Sequence, residues 1–207
     1  MESTINSTNS ITINGKIGSD FQISHQVYGE VFYSFFLESK RLSCACDILP
    51  VIISERLLVN ENFKQGDEIT ISGQIRSYNR PDANRTHLVL SIFVKSIAVC
   101  EDKDAINSVF LNGFICKAPV YRTTPFGREI ADILIAVNRA YGKSDYIPAI
   151  CWGRNAKFAA ELPVGTNISI YGRMQSREYQ KRLNEEEFIT KTAYEVSVSR
   201  IEIVEQF

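Results

Sequence analysis

Residues able to do chemistry fall into two sets, and only one of them is organised. The covalent set is sparse: five cysteines (Cys44, Cys46, Cys100, Cys116, Cys151) and two histidines (His25, His87) scattered through 207 residues. Cys44 and Cys46 lie two apart, but no second pair follows at zinc-like spacing. None of the 11 glycines builds a phosphate loop or a dinucleotide fingerprint, and nothing assembles a Ser/His/Asp nucleophile. The expectation is therefore no catalytic residue, no metal and no cofactor, with the cysteines, Cys44 and Cys46 included, as reduced and mostly buried thiols. The second set is aromatic and basic. Tyr141 stands beside Arg139 and Lys143, Tyr146 follows, Trp152 precedes Arg154, and Tyr179 lies between Arg177 and Lys181, with Arg122, Arg128 and Arg173 on the same half of the chain. Flat rings offer faces on which bases stack and cations meet phosphates, so this pairing is the chemistry of non-covalent binding to a polyanion with exposed bases.

Such residues need a scaffold, and an internal repeat supplies it. Asn14-Gly15, Arg41, Asp47 and Pro50 match Asn112-Gly113, Arg139, Asp145 and Pro148 at an offset of 98, while Gly66, Gly73 and Ser77 match Gly165, Gly172 and Ser176 at 99. The chain thus reads as a duplicated unit of roughly 100 residues. Within each copy apolar residues alternate with period two, the pattern of half-buried strands. Strands are expected at 11–17, 31–42, 46–53, 68–76 and 87–99, and again at 109–115, 129–138, 146–152, 167–176 and 188–204. A helix is expected between the third and fourth of each set, at 55–60 and 154–161. Five strands with one helix at that point is the OB-barrel pattern, although strand count alone leaves other small five-stranded barrels open. The fold class expected is all-β, two tandem OB-fold five-stranded barrels. Residues 1–10 read as a frayed terminus, 11–100 as a first fold kept for assembly, 101–107 as a short polar linker and 108–207 as the binding fold.

The composition is ordinary for a globular chain, 44% hydrophobic and 23% charged, which excludes disordered and fibrous classes. A net charge of -1 argues against coating polyanions by bulk charge. That total conceals a division. Residues 113–182 hold 11 basic and five acidic side chains, net +6, whereas the matched window 15–84 holds seven and nine, net -2. The aromatic positions divide in the same way: Tyr141, Tyr146, Trp152 and Tyr179 correspond to Ser43, Ile48, Ser54 and Arg80 in the first copy. For the rings the competing role is strand packing, strongest for Trp152, which alternates with Ile150. No apolar run is long enough to cross a bilayer and the start lacks the regions of a secretory signal, so a cytoplasmic location is expected.

At these residues the second copy resembles the bacterial single-stranded DNA-binding protein family. Asn107 to Gly113 is similar to its opening strand, Arg122-Thr123-Thr124-Pro125-Phe126-Gly127 to its first loop, and Ile135 to Tyr141 to its second strand. Ala149-Ile150-Cys151-Trp152-Gly153-Arg154-Asn155-Ala156 resembles its third strand and helix start, and Gly165 to Tyr179 its fourth strand. The resemblance spans about 107–204 and implies base stacking on Tyr141, Tyr146, Trp152 and Tyr179, with Arg139, Lys143, Arg154, Arg173 and Arg177 on a basic track. It also implies single-stranded DNA as ligand, no enzymatic activity, and a homodimer whose four folds match those that the family assembles from one-fold chains, the alternative being a monomer whose two barrels pack on each other as a pseudo-dimer. Three departures stand out: tyrosine where the family often has tryptophan, with Glu178 beside Tyr179; no acidic-tipped tail before Phe207, so tail-recruited partners are not expected; and two folds in one chain where family members commonly have one. A primosome-like or mobile-element paralogue acting mainly in protein assembly is the alternative.

Overall fold

The computed structural model describes residues 7–59, 61–82, 85–101, 104–182 and 188–204, with backbone but not side chains at 82, 85–86 and 181–182. Each half of the chain closes its sheet on itself. In the first half β1 (Asn9–Ile17), β3 (Glu30–Lys40), β4 (Cys46–Ser54), β5 (Glu68–Asp82) and β6 (Arg85–Val99) run in the order β3-β4-β6-β5-β1, and a further β1–β3 pairing shuts the ring. The second half repeats this with β7 (Asn107–Ile115), β9 (Glu129–Asn138), β10 (Ser144–Trp152), β11 (Asn167–Arg182) and β12 (Phe188–Ile203), closed by β7–β9. One pairing in each ring is parallel, β4 with β6 and β10 with β12. Five strands in this order make the OB barrel expected from the alternation, and the fold is all-β.

Alternation also explains the core. Along β7 every second residue, Val109, Leu111, Gly113 and Ile115, is buried, so the intervening side chains face outward. Ile11, Ile13, Leu37, Leu49, Ile71 and Ile92 do the same in the first half, and the buried residues of both halves form one continuous apolar cluster. The repeated Gly73 and Gly172 sit where the strand register shifts, between Ser72 and Gly73 and between Tyr171 and Gly172. A Cβ there would fall onto the carbonyl oxygens of Phe93 and Ser197, which is why these bulges need glycine.

Four expectations require correction. Among the described residues only the second half carries an α-helix, α1 (Arg154–Ala160), and the stretch expected as the first-half helix holds a 3-10 turn at Glu55–Leu57. Two further strands, β2 (Gln22–Val27) and β8 (Val120–Thr123), lie on the outer edges against β3 and β9; all their residues are exposed, so no apolar alternation announced them. The terminal segment is ordered from Asn9, because that side chain is only 4% exposed and bonds both backbone groups of Ile75, its Nδ2 donating to the carbonyl (2.7 Å) and its Oδ1 accepting from the N–H (2.9 Å). Residues 1–6 fall outside the described set. Cys44 and Cys46 are exposed, not buried: Cys44 takes a positive φ of 64° in the turn joining β3 to β4, and Cys46 opens β4.

The halves meet through β1 and β7, which pair antiparallel from Asn9↔Leu111 to Ile13↔Asn107. Antiparallel pairing of two repeated strands generates a local pseudo-twofold axis, and the side chains obey it. Asn107 holds Met174 (2.8 and 2.9 Å) as Asn9 holds Ile75. Asp47 of the first half accepts from the Ser176 N–H of the second (2.6 Å), and Asp145 of the second accepts from the Ser77 N–H of the first (2.6 Å). Asp47, Ser77 and their repeats, visible in the sequence as conspicuous matches, thus help to join the halves, and Arg41 adds a bond to the Ser176 carbonyl.

Candidate nucleic-acid interface

Three strands of the second half set out the aromatic and basic side chains. On β10 the alternation sends Tyr146 and Trp152, six residues apart, to one face, where they are 44% and 37% exposed. Trp152 is held in place: its Nε1–H donates to Ser197 Oγ on β12 (3.2 Å), and Ser197 pairs with Arg173 on β11. From Arg173 the same period places Gln175, Arg177 and Tyr179 in line. Arg177 lies over the Tyr179 ring at 5.9 Å, and Lys191 on β12 pairs with Tyr179. The result is a row of exposed ring faces flanked by cations.

Tyr141 lies apart from this row. It is 99% exposed and adopts φ 62° in the 3-10 turn at Ala140–Gly142, a left-handed geometry that a bulky residue adopts at a cost. With no burial to repay that cost, the ring is presented to solvent beside Lys143. Tyr141, Lys143 and Arg139 line a groove of about 660 Å³ together with Arg76 and Lys95 of the first half. Neither Arg76 nor Lys95 was singled out by the sequence, because the first half is acidic in sum; the outward alternation of Gln74, Arg76 and Tyr78 along β5 was the signal available.

The structure separates the basic candidates by their partners. Arg139 Nε sits 3.0 Å from Asp145 Oδ2, and Arg76 Nη1 lies 3.8 Å from the same oxygen; neither contact has hydrogen-bond alignment, and Asp145 Oδ2 is buried without a hydrogen bond. Arg122 pairs with Asp132 (2.9 Å) and Arg177 with Glu195 (3.4 Å). Arg173 reaches Gln175 Oε1 (3.4 Å). Lys143, Arg128 in the turn before β9, and Arg154 at the first position of α1 are exposed and have no carboxylate partner among the described residues. The Lys181 side chain lies outside the described set.

The two half-to-half junctions differ in charge state and tightness. Burial alone would raise the Asp47 carboxyl, but hydrogen bonds from Arg41 and from the Ser176 N–H and hydroxyl hold it below its ordinary value. Arg41 reaches it with both Nε (2.7 Å) and Nη2, and Nη2 also donates to the Ser176 carbonyl (2.8 Å). At the other junction Arg76 is pushed below the usual guanidinium value by burial and by the like charge of Arg139. That junction is electropositive and incompletely compensated. Elsewhere burial, with the charge of Asp132, pushes the Cys151 thiol up to about 12, which keeps it protonated and inert. Among the described residues no group of three or more His, Cys, Asp and Glu side chains could hold a metal ion, and no helix is long and apolar enough to cross a membrane.

Residues 106–204 match the model of the single-strand binding protein family. Over 97 residues the chain is 32% identical to single-stranded DNA-binding protein A of Bacillus subtilis, covering 44% of this chain and 56% of that protein. It is 30% identical, also over 97 residues, to single-stranded DNA-binding protein 3 of Clostridium acetobutylicum, covering 67% of that protein. The match to B. subtilis protein A therefore spans little more than half of that relative's length. The wild-type single-stranded DNA binding protein from Thermus aquaticus shares the fold across both halves, with a TM-score of 0.74 at 19% identity over 96% of this chain and 94% of that one.

Proposed function

We propose, from the premise that this chain belongs to the single-strand binding protein family, that it binds single-stranded DNA without strong sequence preference and without catalysis. What carries the reading is the row on β10, β12 and β11: Tyr146, Trp152 and Tyr179 expose ring faces beside Arg173, Arg177 and Lys191. Stacking tolerates any base, because every base has a π-face, and phosphate contacts add affinity that falls with salt. Tyr141 and Lys143 extend the surface toward the first half, and Arg128 and Arg154 supply cations at its margin. The role that follows is protection of exposed strands during replication, recombination or repair, in the cytoplasm.

Division of labour is part of the reading, with residues 108–207 as the principal binding fold and 11–100 supporting assembly. Two chains associate as a homodimer carrying four folds. Phe110 and Tyr171, 5.1 Å apart with Arg200 stacked 4.6 Å over Tyr171, supply an outward aromatic patch for that contact. The test of the binding claim is anisotropy of labelled oligo-dT and of duplex of equal length, each at two salt concentrations. The single strand is expected to bind more tightly, with affinity falling as salt rises; equal or tighter duplex binding overturns the reading.

A further inference from the structure

The first half lacks aromatics at the four repeated positions, yet it carries an aromatic ladder elsewhere. His25 on β2 lies flat on Phe32 of β3, ring centroids 4.8 Å and planes 5° apart. Phe32 meets Phe93 of β6 at 5.7 Å, and the Arg76 guanidinium from β5 covers Phe93 at 5.6 Å. Phe93 occupies on its strand the place that Ser197 holds on β12, since Gln74 pairs with Phe93 as Arg173 pairs with Ser197. The aromatic surface has moved from the third strand of the barrel to its neighbours. Core packing does not require this arrangement: every residue of β2 is exposed, so His25 stacks on Phe32 without being buried itself.

A groove of about 610 Å³ passes this ladder, lined by His25, Phe93, Arg76, Tyr78 and Arg139. The groove that holds Tyr141 and Lys143 is lined by Arg76 and Arg139 too. The two grooves therefore meet at the electropositive junction, where two guanidiniums face the single carboxylate of Asp145, with Lys95 and Lys143 on the approach. At the pseudo-symmetric junction Asp47 and Glu195 offset Arg41 and Arg177. Among the described residues, the Arg76–Arg139 side thus carries the less compensated positive charge between the halves.

We infer that a single strand bound at Tyr141 crosses this junction over Arg139 and Arg76 and stacks on Phe93 and His25, so that the first half forms the far part of one binding track. The inference rests on the single-strand reading above and adds a base-stacking site with its own residues. Its counter-explanation is that His25 only shields Phe32 from water.

The test uses the full chain carrying His25→Ala and Phe93→Leu together; leucine keeps apolar volume beneath Arg76, and His25 is exposed. Binding is measured to oligo-dT of about 10 nucleotides, within the span of one fold, and of about 30 nucleotides, enough for two. Quenching of Trp152, the sole tryptophan, reports the second half separately, and thermal melting checks the fold. The wild type is expected to favour the longer strand, and the double variant to lose about tenfold or more of its affinity for that strand while the short strand still quenches Trp152. His25→Ala alone is expected to give part of the loss. Wild-type affinity of a folded double variant for the long strand overturns the track. Failure of the wild type to bind either strand overturns the single-strand reading itself.

Discussion

At the residue scale, exposure decides which contacts are separable from stability. Tyr141 is 99% exposed and Tyr179 39%, so Tyr141→Ala and Tyr179→Ala should each weaken single-strand binding by about 1–3 kcal/mol, the range for one stacked base, with little change in melting temperature; oligo-dT titration alongside thermal unfolding checks both. Trp152→Ala is less clean, because the indole is only 37% exposed and bonded to Ser197. Asp47 allows a prediction about acid. Its carboxyl is held below the ordinary value of 3.8, so its contribution to stability is present above about pH 4 and is lost as pH falls through the lower folded-state value. Asp47→Asn should be destabilised at neutral pH and should lose less stability than wild type between about pH 5 and 3, measured by urea unfolding across that range. The four exposed tyrosine and tryptophan positions proposed for stacking, and the exposed Lys143, Arg128 and Arg154, were readable as candidates from type and spacing. What spacing could not convey was pairing: Arg139 and Arg122 face Asp145 and Asp132, and a sequence counts charges without showing which cancel.

Element boundaries follow the strength of the alternation that specifies them. Glu129–Asn138 and Arg154–Ala160 lie where the pattern put them to within a residue, because one face of each is buried and a slip would turn it outward. Strands β5 and β11 run about six residues past their expected ends, since the extensions leave the core and their side chains no longer alternate in burial. β2 and β8 were invisible for the same reason. The first-half helix reduced to one 3-10 turn, capped by the Ser54 hydroxyl accepting from the Arg56 N–H (3.1 Å). Glycine at the two bulges is a requirement at this scale: Gly172→Ala would drive its Cβ into the Ser197 carbonyl and should cost about 1–3 kcal/mol by denaturant unfolding. The displaced register between β11 and β12 should also perturb Trp152, because Ser197 holds its indole.

For the whole molecule, the repeat has a double meaning. It announced two barrels correctly, and among its strongest matches Asp47/Asp145 and Ser77/Ser176 turned out to bind one half to the other, with Arg41 adding a bond to the Ser176 carbonyl. A single sequence cannot show that, because the Asp145–Ser77 and Asp47–Ser176 contacts link residues 68 and 129 positions apart. With two folds already joined inside the chain, the homodimer predicts a light-scattering mass near twice 23.4 kDa at micromolar concentration; a species of 23.4 kDa refutes it. The central claim is stacking of bases on the second half, and Trp152 reports it directly. In a fluorescence titration, oligo-dT should quench the tryptophan and bind more tightly than an abasic strand of the same length and charge. Equal affinity for the abasic strand, with no difference in quenching, would contradict the account.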